Sequence, residues 1–268
     1  MFRDAQVEEL VDSNPCVLRK GELPKMRDKD PTWRVGAVFV RSELIPVERR
    51  TFYAVLFLGG LRFGEVSALR VGRYDRNRQP LGCLLVAESY DTKTKKVGPL
   101  KTDTPREVPV HPALARILAT WLLEGWRATF GRAPGPDDLL IPYPDLRSDA
   151  DGRTFWRSDT CRKRLHDDCM LLGFRHRRTH DTRRTFITLA RSDGARDDVL
   201  KWATHGRPEG IMNLYSELPW ELLSGEVAKL KVDLTRAEVI ELRQAIGAPE
   251  FFDTPFDSGR NHWKQKEK

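Results

Sequence analysis

The stretch Thr179–Phe186 reads T-H-D-T-R-R-T-F. At helical spacing His180, Arg183 and Arg184 share one face, while Thr182, Phe186 and Leu189 fall on the opposite one. Such a helix can bury its apolar side and hold out an imidazole and two guanidinium groups, all donors to a single anion. The planar arginine fork matches phosphate oxygens in pairs, so this face reads as a phosphate clamp. A clamp needs a nucleophile and an acid to do chemistry. Downstream lie His205 and Tyr215, the phenol being either a nucleophile or a core residue of a last helical turn. Upstream, Arg62 sits in G-G-L-R-F-G-E, at a tight junction between two apolar segments. Taken alone, it is more simply an ordinary junction ion pair, to Glu65, than a functional group. Lys93, Lys95, Lys96 and Lys101 occupy turns, where any single lysine is most simply a solvated charge.

The elements that must position these residues read as mostly helical. Residues 42–59 form a helix whose Phe52, Tyr53, Val55, Leu56, Phe57 and Leu58 leave almost no polar face, so it is central and buried. Gly59-Gly60 closes it, and a short helix through Val66, Ala68 and Leu69 follows. Three strands are expected, at 81–89, 98–102 and 107–110, forming a small antiparallel sheet. His111-Pro112 opens a helix with an apolar stripe of Leu114, Ile117, Leu118, Trp121 and Leu122. Residues 134–151 read as a loop. Further helices are expected over 158–172, with Arg162, Lys163 and Arg164 exposed, from Thr179 as N-cap, and through Val199, Leu200 and Trp202. Residues 218–232 are amphipathic, and Thr235 and Glu238 form a capping box for a final helix. The fold class is thus α+β, mainly α-helical, a helical domain with a small three-stranded antiparallel sheet. Its expected bounds are 41–232, after a linker-like segment at 1–40 and before a C-terminal helix and tail at 233–268.

Bulk properties narrow the partners. The chain has 268 residues and a formal net charge of +7, with arginine crowded between Arg153 and Arg191. That surplus favours a polyanion, nucleic acid ahead of an acidic membrane, although charge alone also suits a generally basic protein. The four cysteines form no paired framework. Cys161, His166 and Cys169 invite a zinc site, but they share one helix and lack a second ligand pair, so none is expected. No apolar run approaches the ~20 residues of a membrane span, and a cytoplasmic, nucleoid-associated protein is expected.

Taken together, Arg62 in G-L-R-F-G-E, a turn lysine, His180-x-x-Arg183, His205 and Tyr215 form an ordered set. The set resembles the catalytic domain of the tyrosine recombinase (phage integrase) family, with its T-G-L-R-x-G-E-like box, hairpin lysine, H-x-L-R-H, G-H and a later tyrosine. K-T-D-T-P-R-E-V-P-V resembles the family's hairpin and points to Lys101 among the lysines. The likeness covers roughly 43–230, and Asn14-Pro15-Cys16 resembles the family's interdomain junction. The sequence departs from the boxes at Gly60, read in place of the threonine, at Arg184 and at Thr204.

The resemblance implies a bacterial or phage-encoded site-specific DNA recombinase or integrase that cleaves and rejoins strands through a 3′-phosphotyrosine, without metal, ATP or other cofactor. Tyr215 would be the nucleophile, Arg62 and Arg183 the grip on the non-bridging oxygens, and Lys101 the acid for the leaving 5′-oxygen. His180 would move a proton near the nucleophile, His205 would donate to the phosphate, and Glu65 and Arg184 would support. Arg162, Lys163, Arg175, Arg177 and Arg178 would meet the DNA backbone. The implied partner is double-stranded DNA carrying specific recombination sites. A homotetramer is implied on DNA, a monomer or weak oligomer without it, with accessory DNA-bending proteins conceivable. Residues 1–40 resemble the end of an absent core-binding domain, so DNA binding by this chain is expected to be weak and salt-sensitive. The segment 218–232 could dock in its own domain or on a neighbouring protomer. Type IB topoisomerase-like cleavage, or a DNA-binding protein without catalysis, are the alternatives.

Overall fold

The computed structural model describes residues 36–101, 104–144, 154–174, 176–206 and 218–232. Its centre is helix α2 (Val47–Gly59), in which Thr51 to Gly59 are all buried. Phe52, Val55, Leu56 and Leu58 are wholly excluded from solvent. Each such side chain contributes about 1.5–3 kcal/mol of apolar burial, which explains why a helix without a polar face belongs in the middle. The helix stops at Gly60, whose φ of 60° is left-handed. A Cβ there would collide with the Phe186 ring, so the turn also lets two helices approach closely.

Before α2 comes α1 (Gly36–Arg41). The linker-like reading of 1–40 fails at its end, because Phe39 is buried, stacking on Phe174 at 5.5 Å and meeting Tyr53 edge-on at 6.2 Å. Residues 1–35, including Asn14-Pro15-Cys16, lie outside the described residues. After Gly60 follows α3 (Phe63–Ala68), as the apolar spacing predicts.

The small sheet is built differently from the expectation. Strands β1 (Tyr74–Asp75), β2 (Cys83–Val86) and β5 (Arg106–Pro109) form a three-stranded antiparallel sheet in the order β1-β2-β5. The run read as one strand over 81–89 breaks at Ala87, and β3 (Glu88–Asp91) pairs instead with β4 (Lys96–Pro99) in a separate hairpin. The hairpin seats on α3: a Cβ on Gly64 would meet Ser89 Oγ at 2.5 Å and the Tyr90 carbonyl at 2.8 Å. Tyr90 also stacks flat on Phe155 at 4.4 Å. That local packing pulls the second half of the run out of the first sheet.

His111 caps α4 (Pro112–Thr120), its Nδ1 accepting from the Ala113 N–H at 3.1 Å. A π-helical turn (Trp121–Gly125) links α4 to α5 (Trp126–Phe130). Then come α6 (Ser158–Leu171), α7 (Thr179–Ser192), α8 (Asp197–His205) and α9 (Trp220–Ala228). Thr179 is the first residue of α7 rather than its cap. Arg178 precedes it and donates its N–H to the Asp181 carboxylate at 3.0 Å. Helix α7 packs on α2, and the Asp168 carboxylate joins α6 to α2 by accepting from Tyr53 Oη at 2.8 Å and pairing with Arg49 at 3.2 Å. Helix α9 packs on α8 and β5 of its own chain, burying Leu223 and Val227. The expected capping box at Thr235 and the tail lie outside the described residues. Among the described residues no helix is long and apolar enough to cross a membrane.

Candidate active site

Arg62 stands at the N-terminus of α3 with extended backbone. Its N–H donates to Glu65 Oε2 at 2.8 Å and its Nη1 to Glu65 Oε1 at 2.9 Å. The Glu65 carboxylate is 2% exposed and also takes two bonds from Arg106 on β5, Nη1 to Oε1 at 3.1 Å and Nη2 to Oε2 at 2.7 Å. Burial alone would raise the Glu65 pKa, but the hydrogen bonds and charge of Arg106, with those of Arg62, outweigh it and hold the carboxyl below its ordinary value. Arg106 also gives its Nε–H to the Ala203 carbonyl in the last turn of α8, at 2.7 Å. One carboxylate therefore locks two arginines from segments about forty residues apart.

Sequence reasoning missed Arg106. The signal was there: along Arg106, Glu107 and Val108 the strand alternates buried, exposed, buried. Period-two alternation puts the arginine on the same inward side as Val108, where a cation requires an acid.

Arg183 corrects the reading of the opening motif. It does not stand out to solvent with His180 and Arg184, which are exposed; it is 3% exposed. Its Nη1 donates to the Gly60 carbonyl at 2.8 Å, and its Nη2 to the Thr204 carbonyl. The side chain leaves α7 beside Phe186 and turns inward between the end of α2 and the end of α8. Burial first, and then the positive charge of Arg62 and Arg106, pull its pKa down to about 10, still protonated at neutral pH. Each η nitrogen carries two protons, so both keep one for a ligand.

His205 ends α8, exposed, with Nδ1 2.9 Å from Thr204 Oγ1. Partial burial of the ring, then the charges of Arg183, Arg62, Arg106 and Lys201, lower its pKa. The departure read at Gly60 is also corrected. Counted back from Arg62, the box threonine falls on Gly59, and the left-handed Gly60 is the box glycine.

The structure thus brings together Arg62, Glu65, Arg183 and His205 and adds Arg106. Lys101 is exposed in the turn after β4, and neither it nor His180 hydrogen-bonds the cluster among the described residues. Arg162, Lys163 and Arg178 are exposed, whereas Arg177 is buried and does not present its guanidinium on the surface. Arg175 and Tyr215 lie outside the described residues. Among the described residues no group of three or more His, Cys, Asp or Glu side chains could hold a metal. Cys161 and Cys169 are buried, and His166 meets His176 at 2.9 Å instead.

Chemically, two guanidinium groups hold one carboxylate, and a third guanidinium and an imidazole lie close enough to feel their charge. Arg62 Nε and Nη2 have no partner among the described residues. The surplus positive charge is suited to a phosphate and to the added charge of its five-coordinate transition state.

No protein-family model matches the sequence. The chain is 27% identical over 231 residues to the ICEBs1 integrase of Bacillus subtilis (strain 168), covering 81% of this chain and 58% of that protein. It therefore spans less than two thirds of that relative's length. Among solved structures it resembles an integrase from mycobacterium phage Brujita, with a TM-score of 0.56 and 14% identity over 88% of this chain and 69% of that one. It also resembles the Tn1549 transposon integrase in complex with a circular intermediate DNA, with a TM-score of 0.52 and 16% identity over 86% and 75% of the two chains. The fold that assembles this arginine cluster is the catalytic-domain fold of the tyrosine recombinase (phage integrase) family, which the chain resembles in sequence as well.

Proposed function

We propose that this chain cleaves and rejoins DNA strands as a tyrosine-type site-specific recombinase or integrase. The observation that carries the reading is the arginine assembly: half-buried Arg62 and buried Arg106 on Glu65, and buried Arg183 spanning Gly60 and Thr204. In this reading Arg62 and Arg183 bind the two non-bridging oxygens of a phosphodiester. The Tyr215 oxygen attacks phosphorus, the P–O5′ bond breaks, and Lys101 gives its proton to the departing 5′-oxygen. The products are a 3′-phosphotyrosine and a free 5′-hydroxyl. His180 takes the phenol's proton, and His205 donates to the phosphate.

The guanidinium groups supply the charge stabilisation that a metal gives other nucleases, so neither metal nor ATP enters the step. The covalent bond keeps the phosphodiester's free energy, so a 5′-hydroxyl of another strand reverses the reaction. Double-stranded DNA is the partner, met by Arg162, Lys163, Arg175 and Arg178, with protomers assembled as a tetramer across two sites.

The test is a pool of duplexes with randomised sequence and a nick near the middle, which lets the short strand that carries the new 5′-hydroxyl diffuse away and traps the adduct. An SDS-stable protein–DNA band, formed in EDTA and lost in Tyr215→Phe, supports the reading. Failure of any duplex to form one overturns it.

A further inference from the structure

His205 would meet a bound phosphate through a ring whose tautomer the protein can fix, and only the catalytic consequence of that rests on the recombinase reading. Thr204 is 1% exposed, and its Oγ1 lies 2.9 Å from two groups, the Leu200 carbonyl and His205 Nδ1. A hydroxyl has one proton. The carbonyl has none, so if the threonine proton pointed to His205, two bare oxygens would face each other at hydrogen-bond distance in a buried place, an unsatisfied pairing that folding avoids. Placed on Leu200, the usual back-bond of a helical threonine, the proton leaves Oγ1 as an acceptor. The imidazole can then satisfy it only from Nδ1–H.

We propose that Thr204 is a positioning residue that holds neutral His205 in the Nδ1–H tautomer, leaving Nε2 without a proton. Nε2 has no partner among the described residues. Thr204 also accepts from Arg183 through its backbone carbonyl, so one residue sets both neighbours. The consequence is that a neutral His205 cannot donate to a phosphate; only the imidazolium can. The charges that weigh most on the ring are those of Arg183, Arg62, Arg106 and Lys201, all cationic, with Glu65 bound to Arg62 and Arg106, and they disfavour that state in the free protein. A bound phosphodiester brings the opposite charge and favours it. The phosphate contact is therefore proton-gated.

Long-range ¹H–¹⁵N correlation spectra of the full chain read the tautomer directly, with His205 among the six histidines identified by its loss in His205→Gln. Above the ring's pKa, wild type is expected to show protonated Nδ1 and bare Nε2. Thr204→Ser should match it, and Thr204→Val, which keeps the shape and removes the hydroxyl, should move the ring to a mainly Nε2–H population. An Nε2–H ring in wild type overturns the proposal even if the valine variant fails to fold, and so does an unchanged ring in a folded Thr204→Val. The second readout is adduct formation against pH. Wild type should lose rate as pH rises through the His205 pKa, while Thr204→Val, able to donate from a neutral ring, should lose less. A steeper or equal alkaline loss in the variant contradicts the gate. The spectra need no DNA cleavage, so a chain that forms no adduct refutes the recombinase reading while leaving the tautomer assignment to be judged on the spectra.

Discussion

Replacing Arg106 with methionine isolates what holds the cluster together. The change removes two charge-assisted bonds to Glu65 and one to the Ala203 carbonyl, and leaves a carboxylate that is 2% exposed with Arg62 as its remaining partner. Breaking a buried ion pair from one side costs about 3–5 kcal/mol. The low end applies, because Arg62 stays at 2.9 Å and its side chain, 28% exposed, is partly wet. With an m-value of roughly 2–3 kcal/mol/M, about 3 kcal/mol lowers the urea midpoint by about 1–1.5 M. Glu65→Gln keeps an acceptor for the Arg62 N–H but strands Arg106 as a buried cation, and should cost a similar amount. The double variant has neither charge to strand, so it should recover about 2 kcal/mol relative to the sum of the singles. Urea unfolding followed by tryptophan fluorescence measures all four proteins. Strictly additive losses, or a single-variant loss of under about 0.5 kcal/mol, would show that Glu65 and Arg106 do not depend on each other.

Gly60→Ala should cost about 2–4 kcal/mol, from a left-handed φ and a Cβ that collides with the Phe186 ring; Gly59→Ala, whose Cβ meets Leu61 at an ordinary 3.5 Å, should be near neutral or stabilising in thermal melts. Arg183→Lys should cut adduct formation by about 100-fold or more, since a compact ammonium cannot span the two carbonyls that separate η nitrogens reach and still face an anion, and a rate within a few-fold of wild type would refute that. His111 accepts from Ala113 with Nδ1 and bonds the Leu230 carbonyl through Nε2, so the folded state needs it neutral. Burial first, with the nearby Arg116, lowers its pKa below the unfolded value. Its stabilisation is complete above about pH 6.5 and is lost as pH falls from there toward the folded value. Wild-type urea midpoints should drop as pH falls below about 6.5, and His111→Asn, which keeps a cap acceptor without titrating, should show a smaller drop; equal drops would refute the assignment.

The legible parts of this molecule are those written in local periodicity. The apolar run around Phe52–Leu58 dictates a central helix, and His111-Pro112 marks a helix start that the structure places at the same residue. The run over 81–89 reads as one strand because nothing in its composition marks Ala87 as the point where the chain changes sheets. The cause is the close seat of Ser89 and Tyr90 on Gly64, which is tertiary. A helical wheel places Arg183 beside Arg184 because angle alone ignores reach. A long side chain at the border of an apolar face can turn inward when two carbonyls wait there. Arg106 is hidden for the opposite reason. A turn rich in lysine precedes it and offers more obvious cations, and only the inward alternation through Val108, followed back two residues, exposes an arginine on the buried side.

The two partners that Arg183 takes from the protein are main-chain oxygens. A carbonyl persists whatever side chain its residue carries, so position 204 anchors the guanidinium without spelling it out in letters, whereas position 60 is held to glycine by its backbone and by the Phe186 ring. Substitution at position 204 erodes a recognisable signature while the hold on the guanidinium survives.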